Sequence, residues 1–394
     1  MHPTTVVVSL PVPRHPTRTP LRADQSSAWS RPRLDSPRPR WMQTHVATAA
    51  WVLLTLVGSV VTVAPPGPGR LEEDPAFLPA PSEIPATPAS ASGPVVAFLW
   101  QADGGPEFSL DRPTGAAIDL QGNLWVTDGA NDRFVIFSPD GIAQEAWGTP
   151  GRGEGEFAFA CRGIRYGGVA FDAAGTMYVA DAGNQRIQKF GPDRTFLTSW
   201  PSAGIVDSQL LVTGRGREDA AEGQPRCPVG LAVDGQGRVY VSDRNARKIE
   251  VFDPDGRPLA TGTEASMLPE GVALDGDGNL WVADTANRVL KFSPEGNLLA
   301  EWDRYGTGDG EFNAPMGMAV DAWGRVFVSD RGQRVQVFSP DGAFLGGWGS
   351  PGSEPGQFSD PVGLALDGVG HLYVVEHYGN RVQKFRLLPP LGPG

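Results

Sequence analysis

Residues 178–190 read Tyr-Val-Ala-Asp-Ala-Gly-Asn-Gln-Arg-Ile-Gln-Lys-Phe, and variants of this phrase recur along most of the chain. Just upstream stands Gly168-Val-Ala-Phe-Asp172, one of six Gly-x-Ala-x-Asp blocks; the others begin at Gly115, Gly230, Gly271, Gly317 and Gly363. Each block leads through a glycine turn to a second apolar run that closes on an acid: Asp128, Asp181, Asp243, Asp284, Asp330 or Glu376. A third run ends in Phe137, Phe190, Phe252, Phe292, Phe338 or Phe385, and a fourth usually ends in tryptophan (Trp147, Trp200, Trp302, Trp348). Short apolar runs punctuated by Gly, Pro and Asp are strand signals. Six such units, whose first aspartates lie 53, 62, 41, 46 and 46 residues apart, read as an all-β, six-bladed propeller of four-stranded antiparallel blades.

The sixth unit runs out after Phe385, before a fourth strand can form. Val95-Val-Ala-Phe-Leu-Trp100, ahead of the first unit, has that strand's pattern and its tryptophan. The N-terminal strand is therefore expected to complete the last blade, which hides the edges an open ring would expose. The domain then spans residues 94–386, with 387–394 as a short C-terminal tail.

The phrase at 178–190, with Gly-Glu-Phe or Gly-Gln-Phe ahead of the first strand (Glu156-Phe157, Glu311-Phe312, Gln357-Phe358; Glu107-Phe108 follows a proline), closely resembles the NHL repeat. The resemblance covers essentially all of 94–386 and implies a six-bladed β-propeller, here of a bacterial, membrane-anchored or secreted type. Proteins of this kind include RNA-binding and protein-binding modules, sensor domains and peptide-amidating lyases, so the fold alone does not choose a function.

The rest of the chain is of another kind. Residues 1–44 hold seven arginines and two aspartates among many prolines, a composition expected to be disordered. Residues 45–64 form an uncharged apolar stretch, Val46–Ala64 being long enough to cross a bilayer as a helix. With arginines before it and none just after, it reads as a transmembrane signal anchor or signal sequence that places the propeller outside the cytoplasm, tethered or secreted; a start at Met42 would remove those arginines. Residues 65–93 are a proline-rich linker.

The whole chain of 394 residues has a net charge of -12. Without the leader, 26 basic and 43 acidic residues remain, a net charge of -17. A domain so acidic is a poor partner for nucleic acid, whose binding needs a positive face, although local basic groups survive at Arg162 with Arg165 and at Arg244 with Arg247 and Lys248.

Most recurring residues have scaffold chemistry. The aspartate ending each first strand can accept backbone N–H groups of the turn after it, and the acid ending each second strand lies near a cation on the third (Arg133, Arg186, Lys248, Arg288, Arg334, Arg381). Those cations argue against a ring of metal ligands.

Information about function lies where blades differ. The residue before each first-strand glycine is expected at the mouth of the central channel: Thr114, Gly167, Val229, Glu270, Met316 and Val362. Only Glu270 ionises, so the mouth reads as largely apolar with one anion. Arg165 and Tyr166 replace the proline used elsewhere and resemble residue types of the amidating lyases. Those lyases imply several histidines around zinc, whereas this propeller has only His371 and His377, both in one blade. The reading is accordingly a binding module for a protein, peptide or glycan with no cofactor assigned. Metal-dependent hydrolysis or lysis, with calcium or zinc, is the first alternative and RNA binding the second. Cys161 and Cys227 precede the first strands of adjacent blades and can bridge in an oxidising compartment.

Overall fold

The computed structural model describes residues 96–202, 226–262 and 267–388, all within the compact unit Leu71–Gly394. The leader, the apolar stretch at 45–64, the whole linker and the end of the tail lie outside the described residues. Among the described residues, no helix is long and apolar enough to cross a membrane.

Six four-stranded sheets follow one another around a ring. Blade 1 is Pro113–Ile118, Leu124–Asp128, Arg133–Phe137 and Ala143–Trp147. Blade 2 is Val169–Phe171, Met177–Asp181, Arg186–Phe190 and Phe196–Pro201; blade 3 is Pro228–Val233, Val239–Asp243, Lys248–Phe252 and Pro258–Gly262. Blade 4 is Pro269–Leu274, Leu280–Asp284, Arg288–Phe292 and Leu298–Asp303; blade 5 is Pro315–Val320, Val326–Asp330, Arg334–Phe338 and Phe344–Trp348. Blade 6 takes Pro361–Leu366, His371–Glu376 and Arg381–Leu387, and Val96–Ala102 adds its outer strand, pairing antiparallel from Val96 against Leu387 to Ala102 against Val382.

The second strands are buried along their whole length in all but one position of blade 6, where His371 is half-buried. Their alternate faces feed the two neighbouring inter-blade cores. Between blades 1 and 2, for example, Trp125, Phe134 and Ile136 meet Val169, Met177, Val179 and Phe190, with Phe157 and Phe159 filling the gap. Fully burying such a side chain contributes roughly 1.5–3 kcal/mol each.

The recurrent polar residues do what their local chemistry demands. Each first-strand aspartate accepts two turn N–H groups, as Asp119 does from Gln121 and Asn123 and Asp321 from Trp323 and Arg325. The second acid is braced by the directly opposed arginine in five blades: Asp128 by Arg133, Asp181 by Arg186 and Asp284 by Arg288 at 2.8 Å, Glu376 by Arg381 at 2.6 Å and Asp330 by Arg334 at 3.2 Å. Blade 3 departs from the expected pattern. There Lys248 pairs at 2.6 Å with Glu250 rather than with Asp243, because Glu250 occupies the third-strand position that holds glutamine in blades 2, 5 and 6.

Close approach at the axis fixes the first-strand glycines. A Cβ on Gly115 would run into the carbonyl oxygen of Gly167. The same holds for Gly168 against Val229, Gly230 against Glu270, Gly271 against Met316, Gly317 against Val362 and Gly363 against Thr114, which closes the circle. Gly317→Ala is expected to cost about 2 kcal/mol by overpacking and to lower the thermal midpoint by roughly 4–8 °C. Gly276→Ala, with open space around it, should leave the midpoint unchanged; differential scanning calorimetry of the two variants checks this.

Candidate functional site

Because the residue before each first-strand glycine rests its carbonyl on the preceding blade, its side chain is directed to one end of the channel. There Thr114, Val229, Glu270, Met316 and Val362 line a concavity with about 880 Å³ of empty space, part of it open to solvent, and Arg165 and Tyr166 line it too. All seven predicted residues are thus brought together. Thr114 Oγ1 is buried and has no hydrogen-bond partner among the described residues.

A hairpin that, among the described residues, is found only ahead of blade 2, Ala160–Cys161 against Ile164–Arg165, carries Arg165 and Tyr166 to the mouth. Arg165 reaches back to blade 1, donating to the Gly129 carbonyl at 3.0 Å and facing Asp132 at 3.5 Å. The hairpin is tied forward by a disulfide from Cys161 to Cys227, with 6.0 Å between the Cα atoms, and the bridge packs with Tyr166, Ala182 and Val229. Burial pushes the Tyr166 phenol up, so it stays protonated.

The mouth is more ionic than its sequence suggested. Glu270 is no lone anion: it is 2% exposed and ion-paired with Arg244, whose guanidinium also lies 5.8 Å from the Tyr166 ring centre. Arg331, Asp360, His377 and Tyr378 line the same cavity. Arg331 stands 4.0 Å from Asp360. His377 Nδ1 is 3.2 Å from the Pro113 carbonyl, which can only accept, so Nδ1 carries the proton and Nε2 is left as an acceptor. Burial holds the His377 imidazole below the usual histidine range and Asp360 above the usual carboxylate range, so His377 is neutral at pH 7. His371 lies at the opposite end of the ring, 2.6 Å from Asp367, and takes no part in the mouth.

Sequence reasoning did not place Arg244, Arg331 or His377 at the mouth, yet one signal marks them: each immediately follows the acid that ends a second strand. Reversal of the chain after that acid turns the next side chain toward the axis. Among the described residues, no three His, Cys, Asp or Glu side chains gather as a metal would require.

No family model matches the chain. A curated human protein, NHL repeat-containing protein 3, is 41% identical over 166 residues, which span 38% of this chain and 41% of the relative. The chain contains an NHL-repeat propeller. Among solved structures, a streptogramin B lyase matches with a TM-score of 0.50 at 14% identity, covering 73% of this chain and 98% of the other. A gluconolactonase from Xanthomonas campestris matches with a TM-score of 0.50 at 17% identity, covering 71% and 87%. At these identities the NHL propeller shares a fold with the two enzymes, and the bacterial type expected from the leader rests on none of these matches.

Truncating one member of a buried ion pair strands the other. Glu270→Ala is therefore expected to destabilise the propeller by about 3 kcal/mol. Glu270→Ala with Arg244→Ala should recover part of that loss, as a double-mutant cycle in urea would measure.

Proposed function

We propose that the NHL propeller is a binding module whose channel mouth takes a segment of a protein, a peptide or a glycan. The observation that carries this reading is the composition of the cavity. Val229, Met316 and Val362 offer apolar surface, while Thr114, Arg165, Arg331 and His377 supply separated polar groups, the pattern of sites that bind by shape with a few orienting contacts. A metal-dependent hydrolase or lyase would need a ligand set; among the described residues His377 is the single histidine lining the cavity, so that alternative rests on fold likeness alone. Nucleic acid is disfavoured by the acidic background. We further propose that the propeller is held outside the cytoplasm by the apolar stretch at 45–64, as the uncharged span behind an arginine-rich leader supports.

Val362→Asp places a charge at a half-buried wall of the mouth. If the cavity is a binding site, this variant should lose at least about tenfold in affinity for ligands captured on peptide and glycan arrays, with a thermal midpoint near that of the parent. A plug would give the reverse, lowered stability and unchanged capture. For the topology, protease added to intact cells should remove a tag at the C-terminus; a tag protected until lysis would reverse it.

A further inference from the structure

Neighbouring blades are latched by a residue that sits just before each third strand in the left-handed backbone region, with φ between 50° and 70°. Its side chain accepts a backbone N–H from the next unit: Asp132 from Phe159 at 2.7 Å, Gln185 from Arg226 at 2.9 Å, Asn287 from Ala314 at 2.8 Å, Gln333 from Asp360 at 2.5 Å and Asn380 from Arg112 at 2.9 Å. In blade 3 this position is Arg247, with φ of 57°. Arginine has no acceptor to offer and gains nothing from a left-handed backbone, where Asn and Asp are favoured. Among the described residues, one latch of the ring is missing.

A cleft opens at that place, beside the disulfide. Arg162 from the blade 2 hairpin reaches it, as do Arg244, Asn245 and Arg247 from blade 3, with Ile164 and Leu268 as apolar wall. Among the described residues, no Asp or Glu lines it. Arg162 and Arg247 are exposed and make no ion pair among the described residues. Residues distant in sequence thus bring Arg162 and Arg247 to one cleft, beside an Arg244 already paired with Glu270, on a domain that is otherwise strongly acidic. Repulsion between the two exposed guanidinium groups would be relieved by an oxyanion, which the planar guanidinium fork binds in bidentate fashion. The cleft shares Ile164 and Tyr166 with the mouth cavity, so one ligand can use both.

We propose that this cleft binds the carboxylate of an acidic peptide whose adjoining apolar residues enter the channel mouth. The inference rests on the mouth being a binding site and adds the class of ligand. A peptide is favoured over a longer polyanion because the positive field is local. Beyond about a Debye length, roughly 8 Å at physiological salt, an extended chain of phosphates would meet the acidic surroundings.

The test uses the full chain and two pools of tetrapeptides, amidated at the C-terminus and labelled with fluorescein at the N-terminus, with apolar residues at the first two positions and either Glu or Gln at the last two. Fluorescence anisotropy is expected to show the Glu pool binding about tenfold more tightly than the Gln pool. That preference should weaken with added salt and vanish in the variant Arg162→Gln with Arg247→Asn. The second substitution restores the acceptor type found in other blades, so the thermal midpoint should hold or rise. Equal binding of the two pools, or a preference that survives in the variant, overturns the carboxylate site while leaving the mouth as the binding site. Absence of binding by either pool overturns the acidic-peptide proposal, while the mouth itself is judged by Val362→Asp on the peptide and glycan arrays. Tighter binding of inorganic phosphate or of a single-stranded RNA than of the Glu pool assigns the cleft to a phosphate ligand and overturns the peptide.

Discussion

Around the axis, six glycines press against six carbonyl oxygens, each belonging to the next blade and the last returning to the first. Backbone meets backbone there with no room for a Cβ, so the inner radius of the ring is set by main-chain atoms. The residue supplying each carbonyl is held just outside that contact, and its side chain has nowhere to go but the channel opening. Variation at Thr114, Val229, Glu270, Met316 and Val362 is therefore variation in the lining of one cavity, and of these Glu270, buried against Arg244, also bears on stability.

Farther out, hydrogen bonds take over from contact. The acid ending each second strand gathers the N–H groups of the segment leading into its own blade, and in five blades an arginine closes over it. Blade 3 relaxes these rules together: Lys248 for arginine, Glu250 in a glutamine position and Arg247 in place of a latch. Burial pushes the Asp243 and Glu250 carboxyls up, as it does Asp181 and Asp330 in blades 2 and 5, where an arginine hydrogen bond works against the shift. The irregular blade is also the one joined to the hairpin by the disulfide. A covalent tie thus stands next to the junction where the repeated hydrogen bond is missing.

The fold was legible because it is written six times. A single Gly-Leu-Ala-Val-Asp would say little, whereas six copies, each followed by a glycine turn and a second acid, leave no other architecture, and the strand at 96–102 completed the count. The mouth was legible only in part. The Pro-x-Gly positions were found since they vary inside a constant frame. Arg244, Arg331 and His377 were not assigned to the mouth since their position just after the acid looks like ordinary loop, and only the geometry of that turn shows that they face inward. The pairing of Glu270 with Arg244 joins residues from different blades, a relation that no local pattern encodes. Arg162 and Arg247 were visible as basic groups, but their sharing one cleft follows from the hairpin and the ring together.

The seam in blade 6 has a mechanical side. Val96 lies opposite Leu387, so the incoming and outgoing chain emerge from one corner of the ring. A pull on the segment before Val96, resisted by the blade, loads the ladder at its end and parts the pairs one after another, as a zipper opens, instead of shearing all of them at once. The ring resists heat through its six cores, yet to a force applied at that corner it presents one hydrogen-bonded pair at a time.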